Sequence, residues 1–254
     1  MPLLGIIASS KLGAPTAPVA GYNVWLDAAD ATTFTFSSGN VVSQWTDKSA
    51  NAYAFTQGTV ANQPTRSTTL NSKSTLLYDG SNDSLVSTAA ASTWTFLSNG
   101  DGASVFAVLK STKSSAGLSS WLDTTGGSTL NIGIFEFFNS NLFISDTTKG
   151  VSGVEIAASV AHTISDWDVW SYYLDQDNAT TADKIRIYKD DGGVNANNTT
   201  AATASNSNPS KTLNIGSTDY RFQGEMAEII IYPSILSNTD RELNVDYLQA
   251  KWGL

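Results

Sequence analysis

From Tyr22 to Tyr232, short runs rich in Val, Ile, Phe, Tyr, Trp and Thr recur between turn signals, and no helical period interrupts them. These residues suit a pleated, half-buried surface. The runs span 22–28, 41–46, 75–79, 103–110, 130–137, 141–145, 167–174, 184–188, 212–216 and 224–232. Their separators carry turn chemistry: Asp79-Gly80-Ser81-Asn82, Asn99-Gly100-Asp101-Gly102, Gly126-Gly127 and Asp190-Asp191-Gly192-Gly193. So many strands with so little helix predict an all-β fold of two packed antiparallel sheets. Alternation along 224–232 places Ala227, Ile229 and Ile231 on one face. The polar stretch 192–211 reads as a long loop or a weak edge strand.

A helix is expected only at the C-terminus. Ser237 caps it, with Asp240 in the third position. Leu243, Tyr247 and Leu248 form its apolar stripe, and Trp252 follows just past its end. This places the helix on the rim of the sandwich.

Composition narrows the function classes. The 254 residues carry a net charge of −9, which repels phosphate backbones and argues against a nucleic-acid partner. Only 15% are charged, and Ser, Thr and Asn supply the missing polarity. There is no cysteine, so neither disulfides nor thiol chemistry are available. His162 is the single histidine, which removes multi-histidine metal centres. No stretch reaches 18 apolar residues, so no membrane-spanning helix and no membrane insertion are expected.

Motifs in a fixed order add a resemblance. They run from Trp25-Leu26-Asp27-Ala28-Ala29-Asp30 through Gln44-Trp45-Thr46-Asp47-Lys48-Ser49 and Leu77-Tyr78-Asp79-Gly80-Ser81-Asn82-Asp83. They end at Gly224-Glu225-Met226-Ala227-Glu228-Ile229-Ile230-Ile231-Tyr232 and Ala250-Lys251-Trp252-Gly253-Leu254. The pattern resembles laminin-G-like, concanavalin A-like jelly-roll domains of bacterial surface and phage structural proteins. It covers roughly residues 21–254 and implies a jelly-roll sandwich, a fold that serves lectins, glycan hydrolases and structural modules alike. Leu4-Gly5-Ile6-Ile7-Ala8-Ser9-Ser10 is similar to the starts of tailed-phage virion proteins.

The division expected is an N-terminal anchor peptide with a Pro/Ala linker over 1–20, then a jelly-roll domain over 21–254. Leu3, Leu4, Ile6 and Ile7 are the candidate anchoring residues, and Pro15 and Pro18 stiffen the linker behind them. A secretory signal is the competing reading of this segment, opposed by the absence of a positive residue ahead of the apolar run.

Candidate chemistry is sparse. A glycosidase needs two facing carboxylates. Glu225 and Glu228 stand three apart on a strand, which by simple alternation sends them to opposite faces. His162 has no nucleophile elbow beside it. Asp79, Asn82 and Asp83, with Asp27 and Asp30 nearer the first strand, offer hard oxygen ligands for calcium. Asp and Asn are also ordinary turn formers, and no metal or cofactor is expected. Sugar binding requires an exposed aromatic ring; Trp94, Trp121, Trp167 and Tyr220 beside Arg221 are the candidates, against a plainer reading of each as core.

The resemblance therefore implies a non-enzymatic phage virion protein at the virion surface: a capsid decoration, head fibre or tail-fibre-like appendage. Its partners are other virion proteins bound through residues 1–12, a host glycan adhered to weakly, and further copies of itself. A secreted bacterial carbohydrate-binding module is the alternative, and a polysaccharide-degrading enzyme the second alternative.

Overall fold

A computed structural model describes residues 13–114, 117–125, 132–139, 142–149, 155–193, 196–197 and 207–254. Among these residues it is an all-β antiparallel sandwich, as the recurring runs predict, of the jelly-roll kind that the resemblance implies, with a C-terminal α-helix.

The back sheet is built around its longest strand, Gln223–Tyr232. One side of that strand pairs with Ala103–Ser111 along nearly its whole length. Its other side is shared by Lys73–Asp79 and Val24–Asp27. Asp168–Leu174 and Ile185–Lys189 extend the sheet outward from Ala103–Ser111. The front sheet runs from Phe34–Ser38 through Val41–Thr46, Ala54–Thr56 and Leu85–Ser87 to Asn214–Ile215. It continues through Leu118–Asp123, Ile132–Asn139, Leu142–Lys149 and Glu155–Ala161. The pairing of Val41 with Thr65 links the two sheets at one edge.

Strand alternation creates two apolar layers rather than one. Val105, Ala107, Leu109, Trp170, Tyr172, Ile229 and Ile231 face the front sheet and meet Trp45, Phe55, Trp121 and Phe138. The residues between them, Phe106, Val108, Val169, Tyr173 and Ile230, face outward. Left bare, that second face would expose a large apolar patch. The helix Asn238–Trp252 covers it with Val245, Tyr247, Leu248 and Trp252.

The helix therefore lies on the face of the back sheet, not on the rim. Ser237 caps it as expected, accepting from the Asp240 amide at 3.1 Å and donating to its carboxylate at 2.8 Å. Leu243 is 40% exposed, whereas Arg241, Asn244 and Val245 are buried, so the buried stripe is rotated from the apolar pattern. Trp252 is the helix's last residue rather than a follower, and Gly253 closes the helix in the left-handed region at φ 71°.

The central strand departs from simple alternation at one point. Between Met226 and Glu228 the register against Ala103–Ser111 slips by one residue. This bulge moves Ala227 to the helix side while Ile229 and Ile231 face the interior, so the three do not share a face.

Residues 13–20 follow the helix side. Pro18 is buried, the Val19 amide donates to Asn244 Oδ1 at 3.0 Å, and the Val19 carbonyl accepts from the Tyr232 hydroxyl at 2.7 Å. Leu3, Leu4, Ile6 and Ile7 lie outside the described residues. In the polar stretch 192–211, Ala196–Asn197 forms a short edge pairing with Ile185–Lys189, and residues 198–206 lie outside the described residues.

Candidate functional site

The bulge decides where the two strand carboxylates go. Glu225 pairs with Lys110 and Glu228 with Val108, residues two apart on one strand, so both carboxylates occupy the helix-side face. The expectation of opposite faces fails because the extra residue at Ala227 resets the pleat. Each is nonetheless committed to structural contacts. Glu225 forms an ion pair with Lys110 and accepts from Thr69 and Thr75. Glu228, fully buried, accepts from Trp25 Nε1 at 2.6 Å, Tyr247 Oη at 2.7 Å and Trp252 Nε1 at 2.7 Å. Lys251 Nζ completes the set at 2.7 Å. Burial pushes the Glu228 carboxyl upward, and the Lys251 charge opposes that rise.

This hub gathers the recurring motifs into one network. Lys251 also meets Asp27 Oδ1 at 2.8 Å, and Lys48 meets Asp27 Oδ2 at 3.0 Å and Asp30 Oδ2 at 2.9 Å. Asp47 accepts from the amides of Trp25, Ser49 and Tyr53. The Trp-x-Asp, Asp-Lys-Ser, Ala-Glu and Lys-Trp pieces thus tie the first strand, a loop, the central strand and the helix together. Their spacing serves the fold.

The calcium candidates are spent on turns. Asp79 Oδ1 accepts from the Ser81 and Asn82 amides, and Asp83 Oδ2 accepts from the Asp79 amide at 2.9 Å. Among the described residues no group of three or more His, Asp or Glu side chains is placed to hold a metal. Burial raises the Asp83 carboxyl to about 6, with the Asp79 amide opposing the rise and the Asp79 charge adding to it. A carboxyl raised in the folded state favours folding below its unfolded value of 3.8, and that contribution is lost as pH climbs through about 6. Asp83→Asn is accordingly expected to be near neutral at pH 4. At pH 7 it should stabilise by about 1–2 kcal/mol, read from urea midpoints at both pH values.

Of the aromatic candidates, Trp94 and Trp121 are fully buried. Trp167 is half-buried, with the Lys110 ammonium 5.1 Å from its ring centre. His162 is buried edge-on against Phe138 at 4.7 Å. Tyr220 alone of the four aromatic candidates is exposed, at 37%. Its ring lies 5.5 Å from Phe135, which stacks on Phe137 at 4.4 Å. Phe135 and Phe137 alternate with Ile134 and Phe138, which belong to the interior, so this aromatic group lies on the outer face of the front sheet. Sequence reasoning missed Phe135 and Phe137. The signal was available: a strand apolar on both faces has an outer face with a partner of its own.

The loop carrying Tyr220 is fixed by its own hydrogen bonds. Gly216 donates to the Trp121 carbonyl at 2.9 Å, and Ser120 donates to the Tyr220 carbonyl at 2.7 Å. Ser217 Oγ accepts from the Asp219 and Tyr220 amides, both at 3.2 Å. Arg221 donates to the Ser217 carbonyl at 2.9 Å, and Lys211 pairs with Asp219 at 2.6 Å. A rigid ring edged by charged donors and acceptors can stack on a sugar's apolar face while bonding its hydroxyls.

No family model matches the sequence, and no curated protein is similar to it by sequence. Solved structures do share the fold. The binding domain of botulinum neurotoxin DC in complex with SialylT aligns with TM-score 0.63 and 11% identity, over 91% of this chain and 52% of that one. The botulinum neurotoxin serotype C1 binding domain aligns with TM-score 0.59 and 12% identity, over 90% and 52%. The chain thus spans about half the length of these structures, and the likeness is one of fold, a β-sandwich.

Proposed function

We propose that this protein is a non-enzymatic, lectin-like glycan-binding module carried on a bacteriophage virion. The exposed Tyr220 ring, fixed beside Phe135 and Phe137 and flanked by Arg221 and Asp219, carries the glycan-binding part of this reading. The shared fold with a binding domain in complex with SialylT supports it. The virion setting rests on the sequence order of apolar peptide, proline-containing linker and jelly roll. In this reading Leu3, Leu4, Ile6 and Ile7 dock onto a capsid or tail protein, and several copies decorate one particle. The linker leaves the domain on the helix side, opposite the outer face of the front sheet, so a docked module presents Tyr220 outward.

Two variants test the two halves separately. Tyr220→Ala is expected to weaken retention on immobilised host-envelope glycans about tenfold or more, since exposed aromatic anchors carry disproportionate binding energy. Its melting temperature should stay unchanged, because the ring packs only partly. Deleting residues 1–12 should abolish incorporation into phage particles while leaving glycan retention intact. Full retention by Tyr220→Ala would overturn the glycan surface, and undiminished incorporation would overturn the anchor.

A further inference from the structure

On the opposite face from Tyr220, the linker crosses the end of the helix and leaves an open cleft of about 500 Å³. Ala14, Pro15 and Thr16 form one wall, Tyr247 and Ala250 another, and Trp25, Asp27, Lys48 and Lys251 the floor. The volume falls within the range of small-molecule sites, about 300–1,000 Å³. Apolar walls over a polar floor are also usual for such sites.

The floor's hydrogen-bonding capacity can be counted. Lys251 Nζ has three protons, directed to Asp27, Glu228 and the Tyr247 hydroxyl, so none remains. Lys48 Nζ directs two of its three to Asp27 and Asp30. Asp27 Oδ1 accepts from Lys251 and the Ala29 amide, while Oδ2 accepts from Lys48 only, among the described residues. One N–H of Lys48, facing only the Trp25 ring 4.3 Å away, and one lone pair of Asp27 Oδ2 make no hydrogen bond among the described residues, on atoms 3.0 Å apart. A donor and an acceptor at that separation match two adjacent hydroxyls, one accepting from the ammonium and the other donating to the carboxylate.

Charge sets the class of ligand. Asp27, Asp30, Asp47 and Glu228 outnumber Lys48, Lys251 and Arg66 by one, Arg66 being held by the Ala28 and Ala29 carbonyls and within electrostatic reach of Asp27 and Asp30. An anionic ligand would add to that excess, and the Lys48 and Lys251 ammonium groups that line the cleft stand against a cationic one. We infer that this cleft is a second ligand site, taking a single neutral sugar ring through a pair of adjacent hydroxyls bound between Lys48 and Asp27. The ring's carbon face lies against Pro15 and Ala250. This site neither requires nor excludes the Tyr220 surface.

The test is a titration of the full chain, followed by amide and indole NMR shifts, with methyl α-mannopyranoside and methyl β-galactopyranoside as neutral probes. Sodium glucuronate is the charged comparison. Saturable shifts at Trp25, Lys48 and Thr16 are expected with at least one neutral probe, at a dissociation constant on the order of 1 mM. Glucuronate should bind at least tenfold more weakly. Ala250→Trp, at an exposed helix position, fills the cleft without removing any member of the ion network and should abolish the shifts. Thr16→Trp on the linker is the second filling variant. Tyr220→Ala should leave the shifts intact, which separates this site from the front-sheet surface. The inference is overturned if neither neutral probe shifts these residues, if glucuronate binds as tightly, or if Ala250→Trp and Thr16→Trp both bind as the parent does.

Discussion

Replacing Glu228 with alanine is expected to lower the unfolding free energy by about 3–5 kcal/mol, the cost typical of removing one partner from a buried charge pair. The size of the effect follows from what is left behind. Trp25 Nε1, Trp252 Nε1, the Tyr247 hydroxyl and Lys251 Nζ all donate to this one carboxylate. Without it, the Trp252 indole N–H and the Tyr247 hydroxyl remain buried under the helix, each losing its bond without regaining water, and the Trp25 indole and the Lys251 ammonium lose theirs at the edge of the cleft. At roughly 2–4 °C per kcal/mol for a chain of this size, the melting temperature should fall by about 10 °C. The loss should begin locally: hydrogen exchange along the C-terminal helix should accelerate before the interior strands respond, since the hub ties that helix to the back sheet. Glu242→Ala is the control, because that side chain is 66% exposed and, among the described residues, pairs only with Arg241 at 3.7 Å; it should change stability by less than about 0.5 kcal/mol. Equal melting temperatures for the two variants would mean that the hub contributes nothing.

The same hub marks where sequence reasoning reached and where it stopped. Strand positions were legible because β-branched and aromatic runs alternate between turn residues, a signal contained within each segment. Ser237 and Asp240 were legible for the same reason, the capping bond being local. The faces of the central strand were not, because the bulge at Ala227 depends on how two separate strands meet. One inserted residue inverted the expected relation between Glu225 and Glu228, and it moved Ala227 away from Ile229 and Ile231. The helix was misplaced for a related reason. Its own sequence shows an apolar stripe through Leu243, yet burial follows Asn244, Val245 and Arg241; Asn244 answers to Val19 at the other end of the chain and Arg241 to the Tyr188 ring. Tyr220 stood out beside Arg221 in the sequence, but its exposure, and the support of Phe135 and Phe137, exist only once the front sheet is assembled.

Gly216→Ala should join stability and binding in one measurement. Gly216 has φ +84°, a conformation that costs a residue with a Cβ about 1 kcal/mol or more. A Cβ there would also press into the buried Tyr78 ring, well inside van der Waals contact, and approach the Asp83 carbonyl at 3.2 Å. Overpacking of this kind adds about 1–3 kcal/mol, so a total loss of about 2–4 kcal/mol is expected. The functional consequence comes from position. Gly216 begins the loop that holds Tyr220: its amide bonds the Trp121 carbonyl, and its carbonyl accepts from Phe222 at 3.2 Å. Relief of the clash must displace the loop or the Tyr78 ring, and displacement of the loop moves Tyr220 away from Phe135. Glycan retention should therefore fall about tenfold at a temperature where the variant remains fully folded. Gly39→Ala separates the two contributions, since Gly39 also has a positive φ, +52°, but its Cβ would meet nothing within 4 Å. That variant should lose only about 1 kcal/mol and bind normally. Unaltered retention by folded Gly216→Ala would mean that binding does not depend on how this loop is held.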